Sequence, residues 1–300
     1  MHKLGFVILV FMLLATQCIA RSTNERDVVE VPFSILKGLV IVDAKIKGNV
    51  PVKVALATGI EHSITDMTIL EKYKLTAYYT ADGPVTGRND KTYTFTMVNG
   101  VSVGSSKSKD LSMRLGAMSQ ISGLVGQEIF ATLGADFFEG QIIQFDFKSS
   151  VVRFIDKQPA KTGNLSQNLN ASKSTVLRMM PKASDPFRRT YLLPAVRDVQ
   201  FNGQKGTLLI DTGIATSLAF SSSAAKKLGL PLPTENGQSR EERVNLRFES
   251  SEISDVPASI YAKGTSADQT LSKYGVVAGS LFLQKFIATF DFQKGLVVLE

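Results

Sequence analysis

Leu208-Leu209-Ile210-Asp211-Thr212-Gly213-Ile214-Ala215-Thr216-Ser217 is the stretch from which the rest of the chain can be read. An apolar run that ends on an acid, a hydroxyl and a glycine describes a buried strand entering a tight turn, with the carboxyl held at its lip. Taken alone, the tripeptide Asp211-Thr212-Gly213 is equally a hairpin turn in which Asp211 accepts from the amides that follow and Gly213 supplies a positive φ. The surroundings add to it. Val199-Gln200-Phe201-Asn202-Gly203-Gln204 upstream reads as a strand and a turn, Ser221 to Leu228 downstream as a short helix, and Val276-Val277-Ala278-Gly279-Ser280-Leu281-Phe282-Leu283 is a further apolar run broken by a glycine.

The same succession occurs earlier in the chain. Lys45-Ile46-Lys47-Gly48-Asn49-Val50 is a strand and a Gly-Asn turn, followed by Pro51 to Leu56 and the turn Ala57-Thr58-Gly59-Ile60. With one residue of slippage in the hairpin, Ala57 falls opposite Asp211. Asp66 to Lys74 predicts a helix at the place of Ser221 to Leu228. Leu133-Gly134-Ala135-Asp136-Phe137-Phe138 through Phe145-Asp146-Phe147 aligns with Ala278-Gly279-Ser280-Leu281-Phe282-Leu283 through Phe290-Asp291-Phe292 at a constant separation (279 − 134 = 145; 291 − 146 = 145). At the turn the separation is larger (211 − 57 = 154), so the second copy is shorter somewhere between the turn and its middle. Register kept across so many apolar and turn positions identifies an internal duplication.

These residues, in this order and repeated, resemble the aspartic proteases of the retropepsin and pepsin group, over nearly all of the chain after its first residues. The resemblance implies an all-β fold of two similar retropepsin-like (acid protease) β-barrel lobes related by pseudo-two-fold symmetry, with a short helix in each. The expected organisation is a signal peptide at 1–20, a first lobe at 21–155 carrying Ala57-Thr58-Gly59, a polar linker at 156–175, and a second lobe at 176–300 carrying Asp211-Thr212-Gly213. Gly83 to Arg88 is the candidate flap turn of the first lobe.

Composition narrows the function from the other side. The chain has 300 residues, 44% of them apolar, which is ample for two medium domains. Its net charge of +7 comes from scattered lysines and arginines, with only Arg188-Arg189 and Lys226-Lys227 adjacent, so no nucleic-acid partner is expected. Lys3, the apolar run Gly5 to Ala15 and Cys18-Ile19-Ala20 read as a secretory signal cut after Ala20. The run is too short for a comfortable membrane span, so export to a periplasm or the outside is expected, with no stable membrane anchor. Cleavage there removes Cys18 and His2, leaving no cysteine and His62 as the single histidine. Disulfides, thiolate metal sites and a cysteine nucleophile are thereby excluded, as is a histidine-rich metal site. No Gly-x-Ser-x-Gly elbow accompanies His62, so a serine triad is not indicated. Neither a metal nor a cofactor is expected. Asn164-Leu165-Ser166 and Asn170-Ala171-Ser172 match the glycosylation pattern, which matters only in a eukaryotic secretory route.

The resemblance assigns Asp211 as the catalytic-type aspartate and Thr212, Gly213, Thr58 and Gly59 as the turn residues around it. In the family two carboxyls about 3 Å apart share one proton; one draws a proton from water while the other donates to the scissile carbonyl. Here Ala57 stands where the first of the two would be. Several accounts remain open. The protein keeps the fold and binds extended peptides between the lobes, with proteolysis weak or lost; or two copies pair through their second lobes, bringing Asp211 against its duplicate; or Glu61 or His62 replaces the missing acid; or the chain is a non-enzymatic scaffold. Glu61, His62 and Ile214 are expected to line the cleft, with peptide or protein as the partner and a two-lobed monomer as the basic state. Ile214 cannot donate to Asp211 as a serine or threonine there would, which predicts an optimum nearer neutral for any activity.

Overall fold

The computed structural model describes residues 28–80, 93–116, 118–155, 174–183, 190–234, 237–249 and 251–300. The expected signal peptide, the flap turn Gly83–Arg88, both glycosylation sequons and nearly all of the linker lie outside the described residues. The chain is all-β, with two six-stranded barrels and short helices.

In the first barrel, Leu39–Ile46 pairs with Val50–Leu56, which runs parallel to Ala131–Leu133. Ala131–Leu133 pairs with Ile64–Asp66, and Ile64–Asp66 runs parallel to Ser106–Gly116. Tyr93–Val103 pairs with Ser106–Gly116 and closes the circle on Leu39–Ile46 through Lys45 and Ser102. The second barrel repeats this circuit with Ala195–Phe201, Gln204–Ile210, Val276–Ala278, Leu218–Phe220, Glu252–Tyr261 and Ser239–Arg247. Every antiparallel and parallel step has the same sense in both. Closure leaves these strands without free edges, and the inward positions fill each barrel with Val, Ile, Leu and Phe side chains.

The one-residue slippage has a physical location. The first hairpin turns through three residues, with Lys47 and Gly48 at positive φ; the second turns through two, Asn202 and Gly203, both at positive φ as a type I′ turn requires. The residue lost from the turn reappears as a bulge between Val196 and Val199, where Asp198 has φ 59°. The larger length difference is equally local. The separation is still 154 at the next strand (218 − 64) and has become 145 at the strand that closes the barrel (247 − 102). In between, the first lobe holds a strand, Ala77–Thr80 on Tyr93–Val103, that the second lobe lacks among the described residues.

A six-stranded sheet joins the lobes in the order Val28–Leu36, Val151–Ile155, Ile142–Asp146, Ile287–Asp291, Leu296–Leu299, Thr175–Arg178. Its centre is antiparallel, with Gln144 opposite Thr289. These two positions are themselves 145 apart, so the pseudo-two-fold axis passes between them, and Gln144 Nε2 donates to Thr289 Oγ1 at 3.0 Å. Phe145 and Phe290 meet edge to face on this sheet and are sealed from solvent.

Helices are more numerous than expected. Asp66 to Lys74 forms only the 3-10 turn Met67–Ile69 within a run of turns, while Ser222–Lys227 is helical and capped by the Ser221 hydroxyl. Four further helices, Ser119–Val125, Ala135–Phe138, Ser266–Leu271 and Ser280–Leu283, have four to seven residues each. Such lengths hold two turns at most, too few for a helical period to show in the sequence.

Candidate functional site

Each barrel delivers one turn to the boundary between the lobes. Val50–Leu56 ends at Ala57, whose amide donates to Leu133 O at 3.0 Å; Gln204–Ile210 ends at Asp211, whose amide donates to Ala278 O at 2.9 Å. The turns then interlock through their threonines. Thr58 Oγ1 donates to Ile210 O at 3.0 Å and accepts from the Thr212 amide at 3.2 Å; Thr212 Oγ1 donates to Leu56 O at 2.8 Å and accepts from the Thr58 amide at 3.2 Å. Both threonines are wholly buried. Four reciprocal hydrogen bonds thus tie the lobes together with every hydroxyl used as donor and acceptor.

The glycines are required by proximity. A Cβ on Gly59 would stand 2.6 Å from Asp211 Cβ, and one on Gly213 would overlap Ala57 Cβ. Ala57 therefore occupies the place in the first lobe that Asp211 occupies in the second. Gly134 and Gly279 are needed for the same reason one layer below, where the segments after the two turns cross them: a Cβ on Gly134 would lie 2.9 Å from Ile60 O, and one on Gly279 2.6 Å from Thr216 O.

Asp211 is 2% exposed, and its Oδ1 accepts from both glycine amides, Gly213 at 2.8 Å and Gly59 of the other lobe at 3.0 Å. Among the described residues no other hydrogen bond reaches this side chain. Burial pushes the carboxyl above the usual carboxylate range, against the lowering effect of the Gly213 and Gly59 amides. Ile214 is half-buried and bonds through its main chain, its carbonyl accepting from Ser280 N at 2.8 Å.

Glu61 and His62 both contact residues of the second lobe. Glu61 is 8% exposed and lies 3.0 Å from Nζ of Lys273 in the second lobe. His62 packs edge-on between Phe95 of its own lobe and Tyr191 of the other, with ring centroids 5.9 and 5.5 Å away. Both residues thus work across the lobe boundary. Among the described residues no cluster of His, Cys, Asp or Glu has the arrangement of a metal site.

Other residues at this boundary carry no recognisable pattern in the sequence. Gly38, in the turn between Val28–Leu36 and Leu39–Ile46 with φ 80°, presses on Ala215, and its carbonyl accepts from the Ser280 hydroxyl of the second lobe. Ser63 donates through its hydroxyl to Asp136 at 2.6 Å and accepts from the Gly134 amide at 3.0 Å, pinning the segment after Ala57-Thr58-Gly59. The counterpart of Ser63 is Ser217 (217 − 63 = 154), whose hydroxyl oxygen is buried without a hydrogen bond.

No family model matches the chain, and no curated protein is similar to it. Fold and site together define a two-barrel protein whose lobes meet through paired Thr-Gly turns, one bearing a carboxyl and the other a methyl. This arrangement is compatible with the two-lobed retropepsin-like fold.

Proposed function

We propose that this is an exported aspartic-peptidase-like protein that binds extended peptides in the groove between its lobes, with Asp211 as the surviving catalytic-type aspartate and peptide cleavage weak or lost. The observation that carries the reading is the position of Asp211: buried on the pseudo-two-fold axis, holding amides from both lobes, and facing Ala57 where a second acid would complete the pair. Hydrolysis by this route needs one carboxyl to take a proton while another gives one. Groups that act as a unit lose most of their effect when one is removed. An extended peptide is the expected ligand because a groove between β lobes offers main-chain hydrogen bonds to a strand-like partner.

Pairing of two chains through their second lobes is less well supported. It would require Asp211 and Thr212 to exchange their bonds to Gly59 and Thr58 for the same bonds to a copy, and those positions are already filled from within the chain. The test uses the chain purified without residues 1–20, alongside Asp211→Ala. Both are expected to bind members of a random peptide library and to show no cleavage between pH 3 and 8. Turnover by the wild type that Asp211→Ala abolishes would overturn the loss of activity, and failure of both to retain any peptide would overturn the binding reading.

A further inference from the structure

On the outer wall of the first barrel four residues stand in one row across four strands. Pro51 lies opposite Lys45, Lys45 opposite Ser102, and Ser102 opposite Lys107. Residues directly opposite one another share a face of the sheet, and their neighbours Ile46, Val101 and Val103 are sealed inside the barrel, so the row faces outward. All four line one open cleft of about 920 Å³.

Two lysines therefore flank one hydroxyl. Their backbones are two strand spacings apart, roughly 10 Å, a gap that two lysine side chains can close over Ser102. Lys45 and Lys107 are exposed, and among the described residues neither ammonium has an ion pair or a hydrogen bond, nor does the Ser102 hydroxyl. The two acids that line the cleft are already matched, Asp43 with Lys53 and Glu128 with Lys72, each at 2.7 Å. Lys47 donates to Tyr73 O at 2.6 Å and to Lys74 O at 3.1 Å, which fastens the hairpin beside the row to the wall that carries Tyr73.

The second lobe is an internal control. Its corresponding row is Lys205, Gln200, Arg247 and Glu252, in which an amide stands for Lys45 and the arginine lies opposite an acid. The pairings of Lys45 with Ser102 and of Gln200 with Arg247 close the two barrels at the same step. Closure thus requires neither lysine, and the unmatched positive charge belongs to the first copy alone.

We infer that Lys45, Ser102 and Lys107 form a seat for a phosphate group, free or as the monoester of a small molecule whose body lies in the cleft. Two ammonium groups match the nearly double negative charge of such a group, and the hydroxyl donates a directed bond to one of its oxygens. The seat shares no residue with the Thr-Gly turns and stands independently of the peptide-binding reading.

The experiment is a calorimetric titration of the purified protein at low salt and about pH 7.5, where the monoester is close to doubly charged, with inorganic phosphate, glucose 6-phosphate, glucose 6-sulfate and glucose. Saturable binding of at least one phosphate probe is expected, with glucose 6-sulfate at least about tenfold weaker than glucose 6-phosphate and glucose silent. Tighter binding of glucose 6-phosphate than of inorganic phosphate identifies an ester as the ligand; the reverse identifies free phosphate. Lys45→Gln combined with Lys107→Gln should weaken the phosphate probes by about tenfold or more, Ser102→Ala by about threefold, and Arg247→Gln in the second lobe by less than about twofold. Should the doubly substituted protein fail to fold, Lys107→Gln alone decides. Absence of saturable binding below about 10 mM, affinity unchanged by the lysine substitutions, or sulfate bound as tightly as phosphate would each overturn the inference.

Discussion

The turns Ala57-Thr58-Gly59 and Asp211-Thr212-Gly213 have the same backbone, the same threonine bonds and the same glycine contacts, and differ by one carboxyl. The comparison separates what builds such a site from what makes it reactive. The frame is held by hydroxyls and amides that bond across the lobes, and it needs neither acid. In the one acid that is present, Oδ1 takes both glycine amides, one from each lobe. The first lobe has instead invested in its flank: Asp136 binds the Ser63 amide and hydroxyl, whereas Leu281 stands at the corresponding place in the second lobe, 46% exposed.

The comparison is broken most directly by making the turns alike. Ala57→Asp places a second carboxyl where a Cβ already fits, and peptide cleavage at acid pH is expected to rise by about 10³-fold or more over the wild type, measured on a fluorogenic peptide library. No gain would mean that the groove does not present a scissile bond to this position.

Next in size are the threonines. Thr58→Val and Thr212→Val each strip two buried hydrogen bonds and leave an amide and a carbonyl unpaired. Each should lower stability by about 2–4 kcal/mol in urea unfolding. Because the lattice is reciprocal, the two losses should agree within about 1 kcal/mol, even though only one of these turns bears the acid. A large inequality would show that the acid, and not the hydroxyl lattice, holds the frame.

A smaller effect is expected from Asp211→Asn, and its sign depends on pH. The folded carboxyl is raised above its unfolded value, so its contribution is complete at pH below the unfolded ionisation and is lost as pH rises through the folded one. Wild type and variant should therefore have similar stability near pH 3, with the asparagine protein gaining relative to the wild type as pH increases. Parallel melting curves from pH 3 to 8 would contradict a carboxyl raised by burial. The least effect concerns the flanks. Leu281→Asp offers the buried Ser217 hydroxyl the partner that Ser63 has, and should raise stability by about 0.5–1 kcal/mol in the same unfolding assay.

The parts of this architecture that repeat were legible before any coordinates. Paired strands, the turn tripeptides and the glycines after Leu133 and Ala278 are local signals, and the constant spacing of 145 made each copy a check on the other. Even the slipped residue was visible as a length difference, though only the fold shows that it is a bulge at Asp198. What escaped is what joins the copies. The Glu61 to Lys273 pair, the seat of Gly38 beneath Ser280, and His62 between two aromatic rings each join residues more than 100 positions apart or lack a partner of repeating type. The four extra helices escaped for the opposite reason, being too short to leave a period.

The shared sheet has a consequence for any attempt to divide the molecule. Ile142–Asp146 and Ile287–Asp291 are each other's neighbours, so a gene cut in the linker would yield two halves that each present an unpaired, apolar strand. Such an edge is a template for association with whatever strand it meets first. The halves should precipitate when produced separately and become soluble when produced together, as complementing fragments of one fold.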